Sequence, residues 1–249
     1  MKEARELVAD GAVELNVIGQ DTTGYGADLG GGATLAKLLR KLDGLNGLEW
    51  IRLLYAYPWG FTDELLAAIA QCRHVVPYVD VPLQHVSTSV LRRMRRGTTR
   101  RSIDGLIRKL RAIEGMVIRT TFIVGFPGET EEEFRELLAF VKETKFDALG
   151  VFEYSREEGT PAAAMRGQVP AAVKARRARQ IMLAQQKIAF AANAAVVGSP
   201  ITVLVDGLDA AGRSVGRYYG QAPDIDSACI LDRPRPAGQF VGGTVTGWD

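Results

Sequence analysis

TFIVGFPGET, Thr121 to Thr130, is the stretch on which the reading of this chain turns. An apolar run, Phe122-Ile123-Val124, meets Gly125-Phe126-Pro127-Gly128 and then an acidic segment, Glu131-Glu132-Glu133. The run predicts a buried strand, and the glycines predict a turn. Thr130, with Glu133 three residues on, predicts a capping box. Phe134, Leu137, Leu138 and Val141 recur at helical spacing and predict a helix over 131–143. A glycine-rich turn between strand and helix often holds phosphate, because free N–H groups and the positive end of the helix dipole face the ligand. Here Glu129, Glu131, Glu132 and Glu133 crowd that end, and no Lys or Arg lies in the loop. The local charge argues for a neutral or cationic ligand, and the glycines let backbone approach a flat group closely. A helix cap with no ligand fits the same residues.

The same alternation extends in both directions. Strands are predicted at 13–19, 51–55, 76–81, 117–124 and 148–152. Helices are predicted at 2–10, 34–42, 62–71, 87–95, 102–114 and 131–143. This order implies a parallel sheet covered by helices, either open or curled into a barrel. A long basic helix over 170–195 follows. After Gly198 the texture changes to short strands at 201–205, 214–219, 227–231 and 242–247, between Gly, Pro and Asp turns. The expected organisation is an α/β domain over 1–197 and a small all-β module over 198–249.

Ligands of parallel α/β sheets bind at the carboxyl ends of the strands. Polar and aromatic groups gather at every such end: Gln20 and Tyr25, then Tyr55 and Tyr57, then Gln84 and His85, then Gly125 and Glu129, then Phe152 and Tyr154. Five such loops point to one ligand face, although Gln20 or Thr121 alone is as well explained by a turn bond. His74 falls in a helix-to-strand turn and is expected at the surface.

Other classes find no support. There is no Gly-x-x-x-x-Gly-Lys-Ser/Thr, no Gly-x-Gly-x-x-Gly after a strand, and no Ser/His/Asp arrangement. The two cysteines, Cys72 and Cys229, form neither a disulfide framework nor a metal motif, so no metal ligands are assigned. The N-terminus does not read as a signal peptide, and no apolar run approaches the ~20 residues of a membrane span. A cytoplasmic protein is expected.

Four stretches together carry a resemblance: GQDTTGYG at 19–26, VPLQHVSTSVLRRMRRG at 81–97, RTTFIVGFPGET at 119–130 and FEYSREEGTPAA at 152–163. In order and spacing the chain resembles the radical S-adenosylmethionine methylthiotransferases, most closely their RimO branch. GRYYGQAPDID at 216–226 is similar to a TRAM domain. The resemblance implies a partial (β/α) barrel of the radical-SAM type, lacking its first strand, followed by a TRAM module. It implies S-adenosylmethionine as cofactor, a sulfonium and an ammonium without phosphate. It also implies 4Fe-4S clusters, one of which cleaves the cofactor to a radical that removes a hydrogen atom. Gln20, Gln84, Arg119, Thr121, Gly125, Glu129 and Phe152 are the expected cofactor residues, with Arg119 offered to the methionine carboxylate. A salt bridge to a neighbouring acid is the plain alternative for Arg119.

The implied reaction places a methylthio group on an aspartate of a small-subunit ribosomal protein. The sister branch modifies adenosine in transfer RNA. Gln84-His85-Val86-Ser87 and the acids of Tyr154–Thr160 favour the protein-modifying branch. So does the module over 198–249, which carries four Arg, no Lys and six Asp. A net side-chain charge of −2 suits a basic protein better than phosphate. Tyr25, His85, Tyr154, Asp206, Asp209, Asp224 and Asp226 are the expected substrate contacts, with ordinary turn chemistry as the alternative for the aspartates. Arg92, Arg93, Arg95 and Arg96 are expected either at a solvated helix face or on ribosomal RNA beside the target protein. The family's Cys-x-x-x-Cys-x-x-Cys loop is not in this sequence. The chain is therefore expected to be the C-terminal part of such an enzyme, inactive alone, with a non-enzymatic ribosome-binding role as the further alternative.

Overall fold

The computed structural model describes residues 1–29 and 31–248. Five parallel strands form one sheet in the order β1 (Glu14–Val17), β2 (Trp50–Leu53), β3 (Val75–Asp80), β4 (Val117–Val124), β5 (Ala148–Glu153). Around them run α1 (Lys2–Ala9), α2 (Leu35–Asp43), α3 (Asp63–Gln71), α4 (Thr88–Arg93), α5 (Arg100–Arg111), α6 (Glu131–Thr144) and α7 (Ala171–Ala195). Spatial order equals chain order, as successive right-handed crossovers produce. An antiparallel sheet follows, β8-β7-β6-β9, from β6 (Pro200–Leu208), β7 (Ser214–Arg217), β8 (Cys229–Ile230) and β9 (Phe240–Thr244).

β4 shows why the parallel sheet has two unlike faces. Ile118, Thr120, Phe122 and Val124 are buried, while Arg119, Thr121 and Ile123 are only half-buried. That period of two sends the first set into the helix-covered core, with Ile51, Leu53, Val79, Phe134, Leu137 and Ile181. The second set lies on the inner face, where Ile123 packs against a small cluster of Val90 from α4, Phe126 and Tyr154. Its lower half, Val76, Tyr78 and Val117, is covered by Tyr219 and Ala222 of the β-module. Its upper half stays open.

Some boundaries differ from expectation. α5 begins at Arg100 rather than 102, because Thr99 and Ser102 make their own capping box. α4 is shorter than 87–95, because Arg95 turns left-handed, φ 56°. β7 ends at Arg217, where Tyr218 and Tyr219 turn toward the barrel. β8 is only two residues long, and β9 lies at Phe240–Thr244 rather than 242–247, in the register set by β6. His74 is half-buried, not simply at the surface: its N–H donates to Asp43 Oδ1 at 2.7 Å, and its Nδ1 lies 3.0 Å from the Asp43 carbonyl.

Candidate functional site

The carboxyl ends of all five strands open on one side of the sheet, and the backbone there is strained. Tyr55 after β2, Gln84 after β3 and Gly125 after β4 have φ of 53°, 67° and 75°. Only glycine takes such angles freely, so two non-glycine cases at consecutive strand ends make this edge the candidate site. Gln84 is locked by its own backbone, donating to the Thr121 carbonyl at 2.8 Å and accepting from the Ile123 N–H at 2.7 Å. The open inner face around them is apolar and aromatic. Thr121 pairs with Gly150, and Ile123 with Phe152. Phe152 is 64% exposed, and Ile18, Tyr25 and Tyr55 are exposed at the same ends. Exposed aromatic and aliphatic side chains gathered at one edge of the sheet have the composition of a binding face. Gln20 is exposed in the loop after β1, and Tyr25 borders a cleft of about 290 Å³ with Ile18, Asp21, Leu29 and Leu35.

The Gly125 loop does hold an anion, and the anion is its own. The Glu129 carboxylate accepts from the Gly125 N–H and, at 3.1 Å, from the Phe126 N–H. Its other oxygen lies 3.1 Å from Arg177 of α7. Burial raises the Glu129 carboxyl above its ordinary range, against the pull of Arg177 and the two N–H groups. The expectation that acids dominate this loop is corrected. Glu131 pairs with Arg176 and Arg177, each at 3.3 Å, and Glu133 with Arg93 at 2.6 Å. Lys174 lies over Gly125, where any Cβ would collide with its stem, and donates Nζ to the Tyr154 carbonyl at 2.7 Å. These cations come from α4 and α7, far away in sequence. Phosphate is disfavoured here on a different ground: two of the loop N–H groups are already taken. Glu129 and Gly125 thus shape the turn from within.

His85 is fully buried rather than open to a substrate. Its Nδ1 accepts from the Ser87 N–H at 3.0 Å, which leaves the ring proton on Nε2. Burial pushes the imidazole down to about 3, so it is neutral near neutrality. Tyr154 is buried too, its ring 5.2 Å from Phe126 in an edge arrangement.

Arg119 is not free either. It pairs with Asp226 of the β-module and lies 3.8 Å from Asp80. Asp226 also accepts from the Tyr78 hydroxyl at 2.7 Å and the Ala222 N–H at 2.9 Å. Asp80 in turn accepts from the N–H of Tyr55 at 3.3 Å, and its other oxygen is buried without a hydrogen bond. Asp226, Arg119, Asp80 and Tyr55 form a line from the module to the strand ends. Asp206 is bound to Arg217 at 2.7 and 2.8 Å, and Asp209 to Arg213 at 2.8 Å and to its own turn. Three of the four expected docking aspartates are thus paired with arginines of the chain itself, Asp226 buried at the junction and Asp206 and Asp209 nearer the surface, while Asp224 is exposed. Glu14 escaped the sequence reading, yet it joins the two domains through Arg52 and Arg217 at 2.9 and 2.8 Å. Only its place at the head of a short strand that also carries Leu15 and Val17 could have signalled it.

Comparison with known proteins agrees with this geometry. The TRAM domain model matches residues 197–249. The chain is 49% identical over 247 residues to a ribosomal protein uS12 methylthiotransferase RimO of Caldanaerobacter subterraneus subsp. tengcongensis, covering 98% of this chain and 56% of that protein. It is 52% identical over 229 residues to the RimO of Geotalea uraniireducens, covering 91% and 51%. The chain spans about half the length of these curated relatives. In fold it is similar to coproporphyrinogen III oxidase HemN of Escherichia coli, a radical SAM enzyme, with TM-score 0.52, 22% identity and coverage of 76% of this chain and 44% of that one. It is also similar to the radical S-adenosylmethionine methyltransferase TsrM of Kitasatospora setae, with TM-score 0.50, 20% identity, 63% and 30%. The radical SAM superfamily model matches residues 1–141, more than half of the sequence, and the chain belongs to that superfamily.

Proposed function

We propose that this chain supplies the cofactor wall and substrate-facing half of a methylthiotransferase acting on an aspartate of ribosomal protein uS12. The observation that carries the reading is the identity to RimO proteins across nearly the whole chain. The open face supports S-adenosylmethionine as the ligand. Phe152 and Ile123 offer apolar area to an adenine. Gln20, Gln84 and Thr121 line that face, and Arg119 borders it while held by Asp226. Bound there, S-adenosylmethionine supplies hydrogen-abstraction chemistry; this chain binds it, orients it and excludes water.

An iron–sulfur cluster does not fit the residues present. Such clusters need a set of thiolates. Cys72 caps α3 and Cys229 lies in β8. Among the described residues no group of three or more His, Cys, Asp or Glu is placed to hold a metal. No helix among the described residues is long and apolar enough to cross a membrane.

The test is a chimera in which these 249 residues replace the matching half of the Caldanaerobacter RimO, reconstituted without oxygen. Mass spectrometry of uS12 should show one methylthio group on an aspartate. Modified adenosine in transfer RNA, or an unmodified uS12 from a folded chimera while the parent works, would contradict the reading.

A further inference from the structure

Beside the strand-end face lies a cluster that the cofactor reading does not use. Between Thr88 and Arg101 there are six arginines and no acid. The fold sorts them. Arg93 is held by Glu133, and Arg100 by Asp104 at 3.0 Å and Glu136 at 3.3 Å. Arg96 lies over the Tyr57 ring, 5.3 Å from its centroid, and donates to the Tyr57 hydroxyl at 2.5 Å. Arg92, Arg95 and Arg101 are exposed and, among the described residues, make no ion pair.

Tyr57 is 6.0 Å from the ring of Trp59, inclined at 60°. Trp59 stands in the turn Pro58–Gly60, against which α5 packs, and is 63% exposed. It belongs to none of the apolar clusters. A large aromatic left in water beside unpaired cations has the composition of a base-stacking surface. The nearby acids are paired, Glu133 with Arg93, Asp104 and Glu136 with Arg100, Asp63 with Lys109 and Glu64 with Arg40, so among the described residues the unpaired charge here is positive. A polyanion with flat groups fits.

We propose that Trp59, Tyr57 and Arg96, flanked by Arg92, Arg95 and Arg101, form a stacking platform for an unpaired base of single-stranded RNA. Trp59 receives the base face, and Arg96 is the cation stacked behind it on Tyr57. The flanking arginines neutralise phosphates on either side. For the source of that RNA, the ribosome, the inference rests on the proposed function.

The test is fluorescence anisotropy of a labelled, unstructured RNA of about ten nucleotides, a length within the site sizes of such binders. With the 249-residue chain at low salt, saturable binding is expected. Trp59→Ala should weaken it roughly 5- to 100-fold. Arg92→Ala and Arg95→Ala should each lower the slope of log affinity against log salt by roughly 0.7. Absence of RNA binding, or wild-type affinity in Trp59→Ala, would overturn the proposal. So would a Trp59→Ala variant that loses purified uS12 but keeps RNA. The assay uses no cofactor and no turnover, so its failure leaves the methylthiotransferase reading standing, and failure of the chimera leaves an RNA result standing.

Discussion

Glu129→Ala should destabilise the chain by about 3–5 kcal/mol, the usual consequence of removing one partner of a buried ion pair. The side chain is wholly buried, and three groups lose their acceptor together: the Gly125 N–H, the Phe126 N–H and Arg177, itself 4% exposed. Arg177 keeps Glu131 at 3.3 Å and the Glu129 carbonyl at 3.2 Å, which limits the loss. Glu129→Gln retains an acceptor for the loop and should cost less, about 1–3 kcal/mol. Glu132→Ala, on the exposed side of the same helix turn, should leave the denaturant midpoint where it is. The measurement is urea unfolding of the three variants side by side. If Glu129→Ala and Glu132→Ala unfold together, the internal anion does not hold the loop.

This loop also shows where reading a sequence stops. The strand, the turn and the capping box at Thr130 and Glu133 were legible, because each depends on residues within a few positions. The charge of the loop was not. Its balance depends on Arg93, Lys174, Arg176 and Arg177, which local inspection leaves out. The strand-end face was legible as a place, since alternation places every loop on one side. Which side chains remain free on it was not, because their partners are remote. Arg119 meets an aspartate 107 residues away, and Glu14 an arginine 203 residues away. Trp59 carries no motif, and only its exposure in the fold sets it apart.

The second large effect lies at the junction of the two domains. Glu14→Ala should cost about 3–5 kcal/mol for the same reason, in a different place. Glu14 is 6% exposed and stands between Arg52, at 0%, and Arg217, at 8%. Without it Arg52 keeps the Tyr219 carbonyl, at 2.6 Å, and the Tyr78 and Trp50 rings, 4.7 and 5.9 Å from their centroids, but no carboxylate among the described residues. Arg217 keeps Asp206, whose side chain is 38% exposed. The junction should loosen before the sheet does, and hydrogen exchange should rise first at Tyr218–Asp226 and at Tyr78. Because apolar pairs often replace buried ion pairs without loss, Glu14→Leu with Arg52→Leu should lose less stability than Glu14→Ala alone. Equal stability of Glu14→Ala and the wild type would mean that the two domains are held by other contacts.

The junction matters for the site because Asp226, Arg119, Asp80 and Tyr55 connect the module to the strand ends. The module therefore covers the floor of the inner face and fixes one edge of the open part. What remains open is the part assigned to S-adenosylmethionine.

That assignment is tested most directly by a two-dimensional amide NMR titration of the 249-residue chain with S-adenosylmethionine. Saturable shifts are expected at Gln84, Ile123, Gly125 and Phe152, with none at Gly207, Leu208, Arg235 or Ala237, which line a separate cleft in the module. Inorganic phosphate should leave Gly125 and Phe126 unmoved, since Glu129 already holds their N–H groups. Shifts confined to the module, or none at the strand ends at saturating ligand, would contradict the account.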